Sequence, residues 1–305
     1  MRQEIVQYFQ TLQDAICNAL EKADGVGMFQ EDQWQHHSGG GGRSRVLKNG
    51  DIIEKGGVNF SAVEGHTSEA LMRQMNLTQQ AAYFATGVSI VMHPKSPMVP
   101  IIHMNVRYFE IAPANNTQEI SWFGGGIDLT PHYVVPEDAQ WFHNQLKMAC
   151  DKHDDSYYDK FKTWADDYFY IPHRQETRGV GGIFFDYLKP EAKSKAALFA
   201  FVNSVGESFA PIYTHLMLKN KDLPFGEAEK QWQLLRRGRY AEFNLVWDRG
   251  TKFGLETGGR TESILMSLPP LARWEYDYQP DANSREAQTL ALLRKGVDWL
   301  NVSEQ

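Results

Sequence analysis

Three polar residues of unlike chemistry alternate with apolar ones between Ile101 and Phe109: His103, Asn105 and Arg107. In an extended chain successive side chains point to opposite faces. These three therefore share one face, and Ile102, Met104, Val106 and Tyr108 share the other. An imidazole, an amide and a guanidinium in one row can donate a proton and hold a carboxylate. The plainer alternative is a wet sheet face, but Lys, Glu and Thr are the usual residues there. The row is a candidate active-site centre for an acidic substrate.

Other groups could join it. Thr86–His93 also alternates and puts Ser89, Val91 and His93 on one face. If this segment pairs with the row, His93 approaches His103; taken alone, His93 reads as a strand end before Pro94. Gly124, Gly125 and Gly126 precede Asp128, and glycines allow close backbone approach to a ligand. Asp128 is then a candidate base or acceptor, with a flexible loop and turn-forming Asp as the alternative. Gly39–Gly42 beside Arg43 and Arg45 reads either as an anion-binding loop or lid, or as a linker. Residues 236–260 hold Arg236, Arg237, Arg239, Arg249, Lys252 and Arg260 against Glu242, Asp248 and Glu256, a local excess of positive charge. Gly258-Gly259-Arg260 just before a helix start suits a carboxylate, because free N–H groups, the helix dipole and a guanidinium converge. For Arg236 and Arg237 a solvated basic hairpin is equally open. His143 and His173 add two imidazoles to His93 and His103, a set that suits a transition metal. No pair of them has the i, i+4 spacing of a helical zinc motif.

These groups must be positioned by regular elements. Apolar residues three or four apart predict a helix over Arg2–Ala23, stopped by Gly25. Arg45–Asn59, broken at Asn49-Gly50, reads as a hairpin. Thr67–Leu77 reads as a short helix capped by Thr67 or Ser68. Strands follow at Thr86–His93 and Pro100–Ile111. Helices are predicted over Glu137–Lys152, Ser156–Tyr168, Lys193–Leu218 and Phe225–Arg237, with a strand at Gly182–Tyr187 between them. Arg239–Trp247 alternates and predicts a strand, Asp248-Arg249-Gly250 its turn, and Thr251–Glu256 the return. Thr261–Leu268 reads as a helix capped by Thr261 and ended by Pro269-Pro270, and Ser284–Asn301 as the last helix. Strands and helices in blocks with short turns favour an α+β fold, with one mainly antiparallel sheet covered by helices. With no repeat, low-complexity tract or linker, residues 1–305 read as a single domain.

Composition narrows the function. The net charge of −7 argues against a nucleic-acid partner. Two cysteines, Cys17 and Cys150, make neither a disulfide framework nor a metal pair and fit a reducing compartment. The N-terminus lacks a signal-peptide core, and no run of about 18 apolar residues can span a membrane. A cytoplasmic protein is expected. There is no GxGxxG after a first strand, no Walker loop and no CxxCH, so no nicotinamide or haem is expected, nor a flavin.

Six long segments are specific enough to carry a resemblance: GGGGRSRVLKNGDIIEKGGVNFS (Gly39–Ser61), HPKSPMVPIIHMNVRYFE (His93–Glu110), WFGGGIDLTP (Trp122–Pro131), RGVGGIFFD (Arg178–Asp186), RRGRYAEFNLVWDRGTKFGL (Arg236–Leu255) and GGRTESILMSLPPLARWEY (Gly258–Tyr276). In order and spacing, from about Gly39 to Trp299, the chain resembles the oxygen-dependent coproporphyrinogen III oxidases. The resemblance implies oxidative decarboxylation of two propionates of coproporphyrinogen III to vinyl groups, giving protoporphyrinogen IX for haem synthesis, with O2 as co-substrate. It implies a seven-stranded antiparallel sheet between helices, and a homodimer formed around residues 240–275. It makes His103 the proton donor and has Asp128 engage the pyrrole nitrogens. It places Ser89, Asn105, Val106, Arg107, Gly258, Gly259 and Arg260 along the substrate. It credits His93, His103, His143 and His173 with a divalent metal. Relatives often read FFDDL where this chain has Tyr187 after Asp186, so Tyr187 receives no role. Two alternatives stay open at this point: a metal-dependent oxygenase acting on another polycarboxylate, and a non-catalytic tetrapyrrole-binding protein.

Overall fold

The alternating segments pair into one sheet. A computed structural model describes residues 1–74, 77–112, 120–256 and 258–302. Strands β1 (Gln30–Gln35), β2 (Gly40–Lys48), β3 (Ile53–His66), β4 (Ala82–Pro94), β5 (Ile101–Ala112) and β6 (Ile120–Thr130) follow one another as antiparallel neighbours. After a two-stranded pair, β7 (Tyr170–Ile171) with β8 (Glu176–Thr177), strand β9 (Gly181–Leu188) adds antiparallel to β6. The result is a seven-stranded antiparallel sheet.

Period-two alternation gives this sheet two unlike faces. Val58, Ile90, Met104, Ile127 and Ile183 are register partners across β3, β4, β5, β6 and β9, and all are fully buried. They form one core with the apolar stripes of α1 (Arg2–Asp24), α3 (Pro136–Asp151) and α5 (Lys195–Asn220). Burying such a side chain contributes roughly 1.5–3 kcal/mol, so a one-residue slip of β5 would lose several such terms at once. α1 ends at Gly25, which takes the left-handed conformation (φ 80°) that glycine adopts without strain.

The opposite face meets the C-terminal half. α6 (Glu227–Glu242) runs into a π turn (Phe243–Trp247), then α7 (Arg249–Glu256) and α8 (Thr261–Leu265). Ser263 carbonyl accepts from Asn59 of β3 at 2.8 Å, and Ser267 carbonyl bonds His93 of β4 at 2.8 Å. α2 (Glu69–Gln74), α4 (Tyr157–Tyr168) and α9 (Arg285–Leu292) complete the helices of the described residues.

Several sequence expectations are corrected. Arg239–Trp247 and Thr251–Glu256 are helical, not a hairpin. Asp248 is not a turn residue; its carboxylate accepts from the Thr251 N–H at 2.9 Å at the start of α7. The glycines before Asp128 lie inside β6, and Gly40–Gly42 lie inside β2. β1 had no sequence signal, because Gln30–Gln35 is polar and largely exposed. α8 has Arg260 at its N-cap with no side-chain cap, so Thr261 does not cap it. α9 stops at Leu292 rather than Asn301. α2 spans only Glu69–Gln74; of its expected range, Met75 and Asn76 lie outside the described residues.

Candidate active site

The register of the polar face assembles the site. Asp32, Ser44, Asn59, Ser89, Asn105 and Gly126 are successive partners from β1 to β6. One step along, Val91, His103 and Asp128 are partners, and one step the other way Gly87, Arg107 and Gly124. His103, Asn105, Arg107 and Ser89 are therefore brought together as the alternation predicted, and Asp128 joins them from a strand, not from the expected glycine loop.

Hydrogen bonds define what each can do. His103 Nδ1 lies 2.8 Å from Asp128 Oδ1. No partner for its Nε2 is seen among the described residues, and the side chain is part-exposed. Arg107 donates to Asn105 Oδ1 at 2.8 Å and pairs with Asp186 of β9 at 2.8 Å. A Cβ at Gly124 would sit 2.5 Å from Asp186 Oδ1 and 2.9 Å from Arg107 Nε. Only glycine lets this pair lie flat on the sheet.

Asp128 is buried, and its oxygens are taken. Arg178 donates from Nη2 to Oδ1 at 2.7 Å, and from Nη2 and Nε to Oδ2 at 2.8 and 3.1 Å. Burial alone would push the Asp128 carboxyl up; the Arg178 charge and the His103 bond outweigh it and hold it below its ordinary range. Arg178 is itself buried, donates to Asn244 Oδ1 at 2.8 Å, and lies 4.5–4.8 Å from the rings of Phe169, Tyr240 and Phe243. Arg178 sat inside a motif quoted for resemblance, but no spacing signal linked it to Asp128, fifty residues away. Asp128 is thus buried, with its oxygens engaged by His103 and Arg178.

Other expected site residues are placed differently. Val106 points into the core on the opposite face and is fully buried, so its side chain cannot line a substrate. Gly258, Gly259 and Arg260 sit above the β1 edge, where Arg260 pairs with Asp32. Four strand spacings, about 19 Å, separate that edge from β5. Arg236 and Arg237 are buried, not solvated, and pair with Glu176 and Glu54. An open cleft of about 500 Å³ lies at the start of α1, lined by Arg2, Val6, Gln7 and Phe84, and holds none of these residues.

The four histidines do not form a shared metal site. His93 is buried beside Tyr240, with Nε2 committed to Ser267 carbonyl. His143 is buried with both nitrogens used, by Tyr158 Oη at 2.9 Å and Val180 carbonyl at 3.0 Å. His173 uses both of its nitrogens on Glu242 and Trp247. Burial pushes His93 and His143 down to about 3, so both are neutral. Among the described residues no three His, Cys, Asp or Glu side chains are placed to hold a metal ion.

The chain is an α+β protein with a His103–Asp128–Arg178 cluster and an Arg107–Asp186 pair on one face of an antiparallel sheet. A family model described as coproporphyrinogen III oxidase matches residues 4–299. Among curated relatives, the oxygen-dependent coproporphyrinogen-III oxidase of Prochlorococcus marinus strain NATL2A is 50% identical, over 94% of this chain and 88% of the relative. The protein of the same name from strain MIT 9301 is 48% identical, over 96% and 91%. The chain belongs to the coproporphyrinogen III oxidase family.

Proposed function

We propose that this chain oxidises coproporphyrinogen III with O2, turning two propionate side chains into vinyl groups to give protoporphyrinogen IX. The carrying observation is the row itself: a part-exposed His103 with a free Nε2 stands two residues from Asn105 and four from Arg107 on one strand face. Each propionate loses CO2, a β-hydrogen and two electrons, so two such steps match one O2 reduced to two waters. Arg107 seats the reacting carboxylate when it leaves Asp186, because a guanidinium fork fits a carboxylate. Asn105 and Ser89 bind beside it. With Nδ1 held by Asp128, His103 takes up a proton on Nε2 and passes it to the oxygen being reduced. Arg260, released from Asp32, takes a second propionate together with the N–H groups of Gly258 and Gly259. Asp128 orients His103 instead of touching the pyrroles.

The test is direct. Purified protein is mixed with coproporphyrinogen III and O2, and CO2 and protoporphyrinogen IX are followed. Two CO2 per product support the reading; binding without CO2 release sinks it.

We also propose a homodimer. Leu245, Trp247, Phe253, Leu271, Trp274 and Tyr276 are all exposed, Tyr276 to 99%. They fall within or next to residues 240–275, and so dense an apolar patch marks a contact surface. Sedimentation should give twice the chain mass, and Leu271→Asp should give a monomer; a monomeric parent protein at micromolar concentration removes the proposal. The chain has no helix among the described residues long and apolar enough to cross a membrane. Its two buried free thiols suit a cytoplasmic setting.

A further inference from the structure

We propose that Arg178 is a positioning residue: with Asn244 it locks Asp128, and Asp128 locks the His103 ring with its proton on Nδ1 and Nε2 turned to the substrate. This deepens the functional reading above and rests on it. An ionised carboxylate can only accept hydrogen bonds. The 2.8 Å contact from Asp128 Oδ1 to His103 Nδ1 therefore places the proton on Nδ1. Arg178 Nη2 also lies 3.4 Å from that nitrogen, but a nitrogen already carrying a proton in the ring plane cannot accept. The shorter bond decides the tautomer.

A single hydrogen bond would leave the carboxylate free to turn about its Cβ–Cγ bond. Arg178 grips both oxygens, with Nε on Oδ2 and Nη2 bridging to Oδ1, and so fixes that angle. The third nitrogen, Nη1, is anchored on Asn244. Asn244 in turn donates to Ser267 Oγ at 3.3 Å, tying the chain to the segment after α8.

The π turn has a purpose here. Widening the helix at Phe243–Trp247 brings both Phe243 and Asn244 inward, where both are buried. Phe243 covers the guanidinium while Asn244 bonds it. Interruptions of this kind tend to occur at functional sites. Lysine could supply the charge but not the fork.

The test reads the His103 ring directly. Histidine is 15N-labelled in the full chain, and the His103 signals are assigned among ten histidines by comparison with His103→Gln. The native protein should show a proton on Nδ1. Arg178→Gln should mix the tautomers and lower kcat about 100-fold, with KM within about twofold. Arg178→Lys should fall between the two. If Arg178→Gln does not fold, Asn244→Ala keeps the charge and removes one anchor; it should show a partial tautomer shift and a several-fold lower kcat. A native His103 with no proton on Nδ1 overturns the proposal. So does a folded Arg178→Gln, or Asn244→Ala, with native tautomer and native kcat. A native protein with the Nδ1 proton in place but no turnover of coproporphyrinogen III would contradict the functional reading and leave the hydrogen-bond chain standing.

Discussion

Two arginine–aspartate pairs hang over the same face of the sheet, at opposite ends, and they differ in burial. Arg178 and Asp128 have side chains 3% and 2% exposed; Arg260 and Asp32 are 30% and 55% exposed. A buried pair gives little net stability, but breaking it strands a charge in a poor solvent. An exposed pair costs almost nothing to open. The first pair is therefore built to stay shut and hold geometry. The second is the pair that, in the proposed function, exchanges its aspartate for a substrate carboxylate. In the Arg107–Asp186 pair the arginine is 36% exposed and the aspartate 20%.

The sharpest way to break the comparison is at the buried end. Asp128→Ala leaves Arg178 uncompensated and should cost about 3–5 kcal/mol of stability, read as a lower urea midpoint. It should also lower turnover about 100-fold or more, since His103 loses its partner. Near-native turnover would show that His103 needs no holder. Next comes Arg107→Ala. Losing a charge-assisted bond of about 1.5–3 kcal/mol should reduce kcat/KM roughly 10- to 100-fold while leaving the urea midpoint close to native. A large stability loss with native kcat/KM would make Arg107 structural.

How much of this was legible in the sequence follows from what period two can show. The β5 row and its pairing with Ser89 were readable, because alternation fixes a face and the short Pro94–Pro100 link leaves little freedom. β6 was not, because Gly124–Gly126 look like a loop; Gly124 leaves room for Arg107 and Asp186 over the strand, while Gly125 and Gly126 lie against Phe185 and Phe184. Arg239–Trp247 misled for the opposite reason. Buried Arg236, Tyr240, Phe243 and Asn244 also fit helical spacing, and a nine-residue window satisfies both periods. The Asp128–Arg178 pair joins β6 to the segment before β9, and only the fold brings them together. The four histidines looked alike by composition, whereas burial and hydrogen bonding give each a different environment.

A pH titration sharpens the contrast between the buried and exposed groups. His93 and His143 stay neutral in the fold down to about pH 3, while the unfolded chain protonates them near the ordinary value of 6.5. Between those values the unfolded state binds more protons, so stability falls as pH falls. Each contributes a slope of about 1.4 kcal/mol per pH unit at most. Asp128, held low, adds its own loss at still lower pH, where the unfolded chain takes up its proton before the folded form does. Urea midpoints should therefore drop steadily below about pH 6; a flat profile would mean that the buried histidines are already charged. The smallest effect belongs to the exposed end. Asp32→Asn should change stability by no more than about 0.5 kcal/mol. By freeing Arg260 it should lower KM slightly in low salt and not in high salt. A raised KM would mean that Asp32 shapes the seat instead of filling it.

The central claim is that His103 drives an O2-dependent decarboxylation on this face. The most direct measurement compares native protein and His103→Gln under single-turnover conditions with coproporphyrinogen III and O2, counting CO2. The native protein should release two CO2 per coproporphyrinogen. The variant should run about 100-fold slower or worse, with substrate binding retained. Equal rates of CO2 release from the two proteins would remove His103 from the reaction.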